Sequence, residues 1–254
     1  MRETLLVVGA TGSIGLHVVA QALNDGYRVR ALVRNADKRA LFPPAAEVVV
    51  GDLSADLPLH EAIEGVDCVV FTHGTYGRPD LAELVDYGMV RNLLRCLNGR
   101  SVRIALMSTV GATDRKGSHD WKRRGERLVR ASGLAYTIVR PGWFDYNEPN
   151  ERKLVLLQGD KRQSGTPKDG VIARDQLAKV LVSSLRSAGA LRKTFELAAE
   201  VGQEQPDFEV LFDQLDRDTD GMLDGRHDLA NMPLEHEPEK ILADLRGVKA
   251  GSFE

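Results

Sequence analysis

Leu5-Leu6-Val7-Val8-Gly9-Ala10-Thr11-Gly12-Ser13-Ile14-Gly15 passes without a spacer from an apolar run into a glycine turn. The residues that follow, Ile14 to Leu23, place apolar side chains at Ile14, Val18, Val19, Ala22 and Leu23, the spacing of a helix with one buried face, and stop near Gly26. A strand that breaks into glycine and restarts as a helix aims unpaired backbone N–H groups and the positive end of the helix dipole at one spot. That spot binds an anion. Gly9 suits the sharp turn, Gly12 keeps a side chain away from the place where a pyrophosphate touches the backbone, and Gly15 lets the helix approach the strand. Three glycines in seven residues also occur in ordinary loops; the strand before and the helix after set this one apart.

A second strand, Arg28 to Val33, ends at Arg34, about twenty residues past the turn, where a dinucleotide site meets the adenosine ribose. A carboxylate there accepts hydrogen bonds from the free 2′-hydroxyl of NAD; an arginine offers a planar fork of donors to a 2′-phosphate. Lys38 and Arg39 follow one turn later and Asp37 partly offsets them, so the pattern favours NADP over NAD. The alternative is that Arg34 is a solvated residue opening a loop.

A chain of 254 residues, 43% hydrophobic and 28% charged, is long enough for one substantial core. The expected division is a nucleotide-binding core over residues 1–140 and a substrate-side region with an acidic tail over residues 141–254, packed on the core as one domain. No signal-peptide succession opens the sequence and no apolar run approaches the roughly 18 residues of a membrane span, which points to a cytoplasmic protein without a membrane partner. Cys68 and Cys96 make neither a metal pattern nor a disulfide framework.

The net charge of -3 conceals an asymmetry. From Glu200 onward there are fifteen acidic and five basic residues, against twenty-nine basic and twenty-two acidic before it. The bases concentrate in Arg115, Lys116, Lys122, Arg123, Arg124, Arg127 and Arg130. No DNA or RNA motif and no interleaved aromatics accompany them, so nucleic acid is not expected and the cluster reads as a solvated helix face.

After Arg34, strands and helices alternate: strand Glu47 to Val50, helical segment Leu59 to Ile63, strand Cys68 to Phe71, helix Leu81 to Leu97, strand Val102 to Met107, helix Lys122 to Ser132, and strand Tyr136 to Arg140. A less regular region follows, until a helix at Asp175 to Leu185 and a strand at Phe195 to Ala198. Continuous apolar strands between helices imply a parallel sheet covered on both faces, and right-handed crossovers make it doubly wound, an α/β Rossmann fold. Ligands then lie beyond the carboxyl ends of the strands, at Asp52-Leu53, Thr72-His73-Gly74, Ser108-Thr109-Val110-Gly111 and Pro141-Gly142-Trp143-Phe144.

Together with Lys122 and the run Ser132 to Gly142, these segments resemble the atypical short-chain dehydrogenase/reductase family, specifically its NmrA-like NAD(P)-binding proteins, over roughly residues 3 to 200. The resemblance implies that Gly9, Thr11, Gly12, Ser13, Ile14 and Gly15 hold the pyrophosphate end of the cofactor. It also implies that Asp52 contacts the adenine amino group, Leu53 packs on the ring, Thr72, His73, Gly74 and Pro141 line the cofactor, and Lys122 binds the nicotinamide ribose. Ser108 occupies the position of the family's active-site serine.

One departure counts against standard alcohol/ketone chemistry. The wider family uses Tyr-x-x-x-Lys, whereas Ser118 stands four residues before Lys122, and a serine hydroxyl is far too weak an acid to replace a tuned phenol. Ser108 either orients a substrate oxygen or satisfies backbone groups at a strand end. His73 and His119 are possible proton donors, although exposed loop histidines are the commoner case. Trp143, Phe144 and Tyr146 either wall the nicotinamide or pack the carboxyl-terminal region. Asp216 to Asp224 matches the first nine positions of a calcium loop but reaches His227 where the bidentate glutamate belongs, so no metal site is expected.

The sequence therefore predicts an NADPH-dependent oxidoreductase passing hydride to a small acceptor such as a quinone, flavin or carbonyl compound, with Ser108 and Lys122 as candidate catalytic residues. A non-catalytic NADP(H) sensor acting through a protein partner is the alternative. An epimerase or dehydratase that recycles its nicotinamide is the third.

Overall fold

Strand β1 (Thr4–Val8) is buried at every position, and its side chains divide between two cores as the strand repeat of two requires. Leu5 and Val7 face a core shared with Val18 and Val19 of α1 (Ser13–Asn24) and with Leu177 and Leu181 of α5 (Arg174–Ser184), whereas Leu6 and Val8 face one shared with Leu93 and Leu128. An apolar run without alternation is what a strand covered on both faces needs. The computed structural model describes residues 2–55, 59–75 and 78–250.

Parallel neighbours of β1 are β2 (Arg28–Val33) and β4 (Cys68–Phe71), with β3 (Glu47–Val50) beyond β2 and β5 (Arg103–Met107) and β6 (Ala135–Pro141) beyond β4. The order 3-2-1-4-5-6 is that of a dinucleotide-binding doubly wound sheet, so the expected fold class is the observed one. The order reverses beside β1, directly above the glycine turn.

Past β6 the sheet continues further than the sequence suggested. Strand β10 (Lys193–Glu200) joins β6 in parallel, and β8 (Lys153–Leu157) joins β10 antiparallel. Short β7 (Trp143–Phe144) pairs with β9 (Val171–Ile172), which meets β10 at Ala199, past the last β6 contact at Leu197. β10 contains the strand expected at Phe195 to Ala198, whereas β7, β8 and β9 lie within the region expected to be less regular. Two of them have only two residues, too short to show a period.

The helix expected over Leu81 to Leu97 is broken. A 3₁₀ turn at Pro79–Leu81 leads into a wide π turn at Glu83–Gly88, and only α3 (Met89–Leu97) is regular. The partner of the wide turn is α4 (Ser118–Ala131), where a Cβ on Gly125 would sit 2.9 Å from the Asp86 carbonyl oxygen. Single π turns recur at functional sites because they re-aim one side chain; here that side chain is Asp86. Short α2 (His60–Ile63) completes the first half of the fold.

The carboxyl-terminal segment overturns the expected solvated face of α4. After α6 (Glu209–Asp213) the chain crosses α4 and ends in α7 (Glu239–Ala250), whose Ile241, Leu245 and Val248 enter the core beside Leu93 and Leu128. Arg123, Arg127 and Arg130 are buried. Asp224 accepts from Arg123 Nε at 3.0 Å and from Arg127 Nε and Nη2 at 2.8 and 2.7 Å, while Glu237 accepts from Arg124 at 2.7 Å. Deeper in, Arg140 is bidentate to both Glu126 and Asp228. Burial opposes the charge on Glu126 and Asp228, but the Arg140 guanidinium outweighs it and holds both carboxyls below their usual range. The acidic tail and the basic helix are thus two halves of one buried ionic layer. Sequence spacing alone could not pair segments about a hundred residues apart.

Two carboxylates of the calcium-like loop, Asp218 and Asp224, are spent in the same layer. Asp218 accepts from Tyr136 and Thr194, Asp220 from Arg192 and Asp224 from the arginines of α4, so these carboxylates diverge instead of converging on one point. Among the described residues no helix is long and apolar enough to cross a membrane.

Candidate cofactor and substrate site

Backbone geometry at the glycine turn sets the site. Gly9 adopts φ +84°, and a Cβ there would also lie 2.7 Å from the His73 amide nitrogen, so both conformation and space require glycine. A Cβ on Gly15 would overlap the Gly9 carbonyl oxygen, which makes Gly15 the residue of close helix–strand approach. Gly12 caps α1 in extended conformation and donates its N–H to Gly9 O at 2.9 Å. No side chain caps α1, so the first N–H groups of the helix remain available to an anion.

Two cavities adjoin this turn. One, of about 390 Å³, is lined by Gly9, Thr11, Gly12, Arg34, Asp52, Leu53, Thr72, His73 and Gly74. The other, of about 570 Å³, is lined by Ile14, Thr72, Gly74, Ser108, Ser118, His119, Lys122, Pro141, Trp143 and Phe144. Thr72, Gly74 and Thr75 border both, so the two form one groove across the strand ends. A third, polar cavity of about 480 Å³ lies away from the turn, among charged residues that include the ion pair Lys179–Glu204.

At the smaller end, Arg34 is exposed and makes no hydrogen bond or ion pair with another described residue. Arg39 does not reinforce it, because its guanidinium donates to Val48 O at 3.2 Å and lies outside the cavity lining. Asp52 accepts from the N–H and hydroxyl of Ser54 through Oδ1, Oδ2 having no hydrogen bond from another described residue, and Leu53 is buried against the cavity.

At the larger end, Ser118 and Lys122 sit one turn apart on α4 and both face the cavity. Lys122 Nζ is 2.9 Å from Oδ1 of the buried Asp86, which therefore fixes the ammonium where the π turn presents it. Ser108 Oγ is buried in this cavity's wall with no hydrogen-bond partner among the described residues, and His73 Nδ1 is likewise unpartnered at the smaller cavity. Orphaned buried polar atoms facing a groove suit a polar ligand. A nicotinamide dinucleotide fits these features: glycine backbone at the centre, an unpaired arginine at one end, and an ammonium with an unsatisfied hydroxyl at the other.

Several expectations need correction. His73 is not an exposed loop histidine: burial, reinforced by the Lys122 charge, pushes it down to about 3, so it stays neutral and cannot shuttle protons near neutrality. Thr72 turns its hydroxyl to the Val8 and Gly9 carbonyls, holding the turn. Trp143 and Phe144 line the larger cavity, Phe144 also packing against the core, whereas Tyr146 is exposed and meets Trp143 edge-on at 5.8 Å. Ser13 does not line either cavity and accepts a hydrogen bond from Arg174 at 3.1 Å.

Some site residues carried no sequence signal. Asp86 lay inside an expected regular helix. Arg174, from the carboxyl-terminal half, reaches the amino end of α1 across 161 positions of sequence. Asp160, wholly buried, accepts from the Gly111 and Thr113 amides at 2.6 and 2.7 Å and from the Thr113 hydroxyl at 2.9 Å, pinning the loop after β5 that carries Ser108.

The chain is similar to known proteins in sequence and in fold. Sanguinarine reductase of Eschscholzia californica is 25% identical, with 84% of this chain and 96% of that protein covered. An uncharacterized sugar epimerase of Bacillus subtilis, YhfK, is 28% identical over 76% of this chain and 92% of its own length. Among solved structures, a Bacillus halodurans chain designated an NAD-dependent epimerase/dehydratase superposes with a TM-score of 0.69 at 25% identity, covering 84% of this chain and all of that one. The NAD(P)H-binding family profile matches residues 9–188, from the first glycine of the turn to the loop beyond α5, and the chain belongs to that family.

Proposed function

We propose that the protein is an NADPH-dependent oxidoreductase of the atypical short-chain type, reducing a small acceptor in the larger cavity in a cytoplasmic setting. Bound NADPH supplies the hydride. The amino end of α1 and Gly12 receive the pyrophosphate, Arg34 the 2′-phosphate, and Asp52 and Leu53 the adenine. Lys122, held by Asp86, presents its ammonium to the nicotinamide ribose, and Ser108 offers its free hydroxyl to the acceptor oxygen. Met107, Val110, Trp143 and Phe144 give the cavity an apolar side suited to a flat acceptor.

The observation that carries this reading is the partnerless Ser108 hydroxyl, buried in the same cavity as Lys122 and continuous through Thr72 and Gly74 with the cavity of Arg34. Similarity to a sanguinarine reductase supports the reductive direction. Similarity to epimerases supports a retained nicotinamide, but Ser118 at the place of the phenol disfavours chemistry that needs a strong acid there.

The test follows NADPH absorbance with a panel of quinones, flavins and carbonyl compounds. Turnover above background is expected with at least one class. Lys122→Ala should weaken cofactor binding and slow turnover together, and Ser118→Ala should do little. Background rates across the whole panel, with tight NADPH binding, would transfer the site to the sensor reading.

A further inference from the structure

His119 lies in the first turn of α4 and faces the larger cavity together with Ser108 and Lys122. Its Nδ1 lies 2.8 Å from the Gly111 carbonyl oxygen and 3.2 Å from Asp114 Oδ1. A carbonyl can only accept, so Nδ1 carries the proton. The other ring nitrogen, Nε2, has no partner among the described residues. A histidine whose tautomer is fixed by one nitrogen and whose other nitrogen is free is arranged for proton transfer.

The support behind the ring is rigid. Gly111 O also accepts the Asp114 N–H at 3.1 Å, closing the turn, and Asp160 clamps that turn from below through the Gly111 and Thr113 amides. Lys116 Nζ lies 2.9 Å from Asp114 Oδ2 and holds the carboxylate on its other side. A buried carbonyl and an almost wholly buried carboxylate thus hold the ring from its Nδ1 side.

We propose that His119 is the catalytic acid of this site, with Asp114 as its positioning residue, and that it takes the place of the missing phenol for carbonyl acceptors. The proposal rests on the reductase reading given above. In the reaction, a C–H bond forms at the carbonyl carbon with the hydride from NADPH, and the C=O π pair moves to oxygen. That oxygen takes the proton from His119 Nε2, the ring is left neutral, and water reprotonates it; NADPH is oxidised to NADP⁺ and the carbonyl reduced to an alcohol. Ser108, on the same cavity wall, donates to the oxygen as charge develops.

The first measurement needs no cofactor. In ligand-free protein labelled with ¹⁵N-histidine, with His119→Gln for assignment, His119 should show Nδ1 protonated and Nε2 as the basic nitrogen; Asp114→Asn should shift the Nδ1 proton resonance. An Nε2-protonated tautomer overturns the proposal. The second measurement uses two variants, because His119→Ala alone could disturb the loop and His119→Gln retains a donor for Gly111. Both should lose about 100-fold in turnover of carbonyl acceptors, the usual scale for a positioned acid, with NADPH affinity unchanged. Quinone reduction should change less than threefold, since a hydroquinone anion takes its proton from water. Added imidazole should restore part of the carbonyl activity of His119→Ala.

Equal losses on both acceptor classes, or unchanged carbonyl turnover, overturn the assignment of the acid. Wild-type protein that reduces quinones but no carbonyl compound overturns it too. Absence of NADPH oxidation with every acceptor instead refutes the reductase reading, and with it a catalytic role for a tautomer that the first measurement would still report.

Discussion

Replacing Arg34 with alanine is the sharpest test of the proposed cofactor choice, because Arg34 supplies the one guanidinium among the described residues that line the smaller cavity. Arg34 lines the smaller cavity with no partner among the described residues to release before it binds a ligand. Arg39, the neighbour best placed to substitute, is committed to the Val48 carbonyl. A hydrogen bond to a charged group is worth about 1.5–3 kcal/mol; Arg34 is exposed, so the lower half of that range applies. At about 1.4 kcal/mol per factor of ten, Arg34→Ala should weaken NADPH binding by roughly 10- to 40-fold and leave NADH nearly untouched. Titration calorimetry of both cofactors against both proteins reads this directly, and raised salt should narrow the wild-type difference. Equal affinities of the unmodified protein for NADPH and NADH would refute the role given to Arg34.

Other outcomes follow from the geometry. Gly12→Val should abolish NADPH binding while leaving the melting point nearly unchanged, since Gly12 has φ -73° and ψ 165°, which valine tolerates; Gly9→Ala should destabilise the fold itself, because its Cβ meets the His73 amide at positive φ. Asp224→Ala strips acceptors from the buried Arg123 and Arg127, though each keeps backbone carbonyl partners, so urea denaturation should show a loss of about 3 kcal/mol; a loss below about 1 kcal/mol, the scale of an exposed pair, would show the layer to be incidental. The pH dependence has two limbs. Glu126 and Asp228 are held below their unfolded values, so the stability they contribute is present near neutrality and is lost as pH falls below the ordinary carboxylate range. Glu196 is pushed up to about 7 by burial, so its contribution is complete below its unfolded value of 4.5 and is lost as pH rises through 7. Glu196→Gln should therefore flatten the alkaline limb of a stability–pH curve; an unchanged limb would remove Glu196 as its source.

Much of the fold was legible because it is written in local pattern. Leu5 to Val8 shows no polar alternation, and only a strand covered on both faces allows that. Gly9, Gly12 and Gly15 answer to backbone geometry within seven residues, so their spacing carries the turn and the groove above it. Arg34 follows from the length of one helix and one strand. Lys122 and Ser118, four apart, share a helix face by the same reasoning.

What only the tertiary structure decided depends on approach between distant segments. Whether Arg123, Arg127 and Arg130 face water or a buried carboxylate is a question about the tail, not about the helix, and the tail answers it with Asp224 and Asp218. His73 looks like any loop histidine until folding buries it against Phe71 and beside the Lys122 charge. Asp86 reaches Lys122 because α4 bears down at Gly125 on a turn that widens to meet it. Helical and strand periods record which face of an element is buried; they do not record what is buried against it, because that contact is chosen by packing across the whole chain.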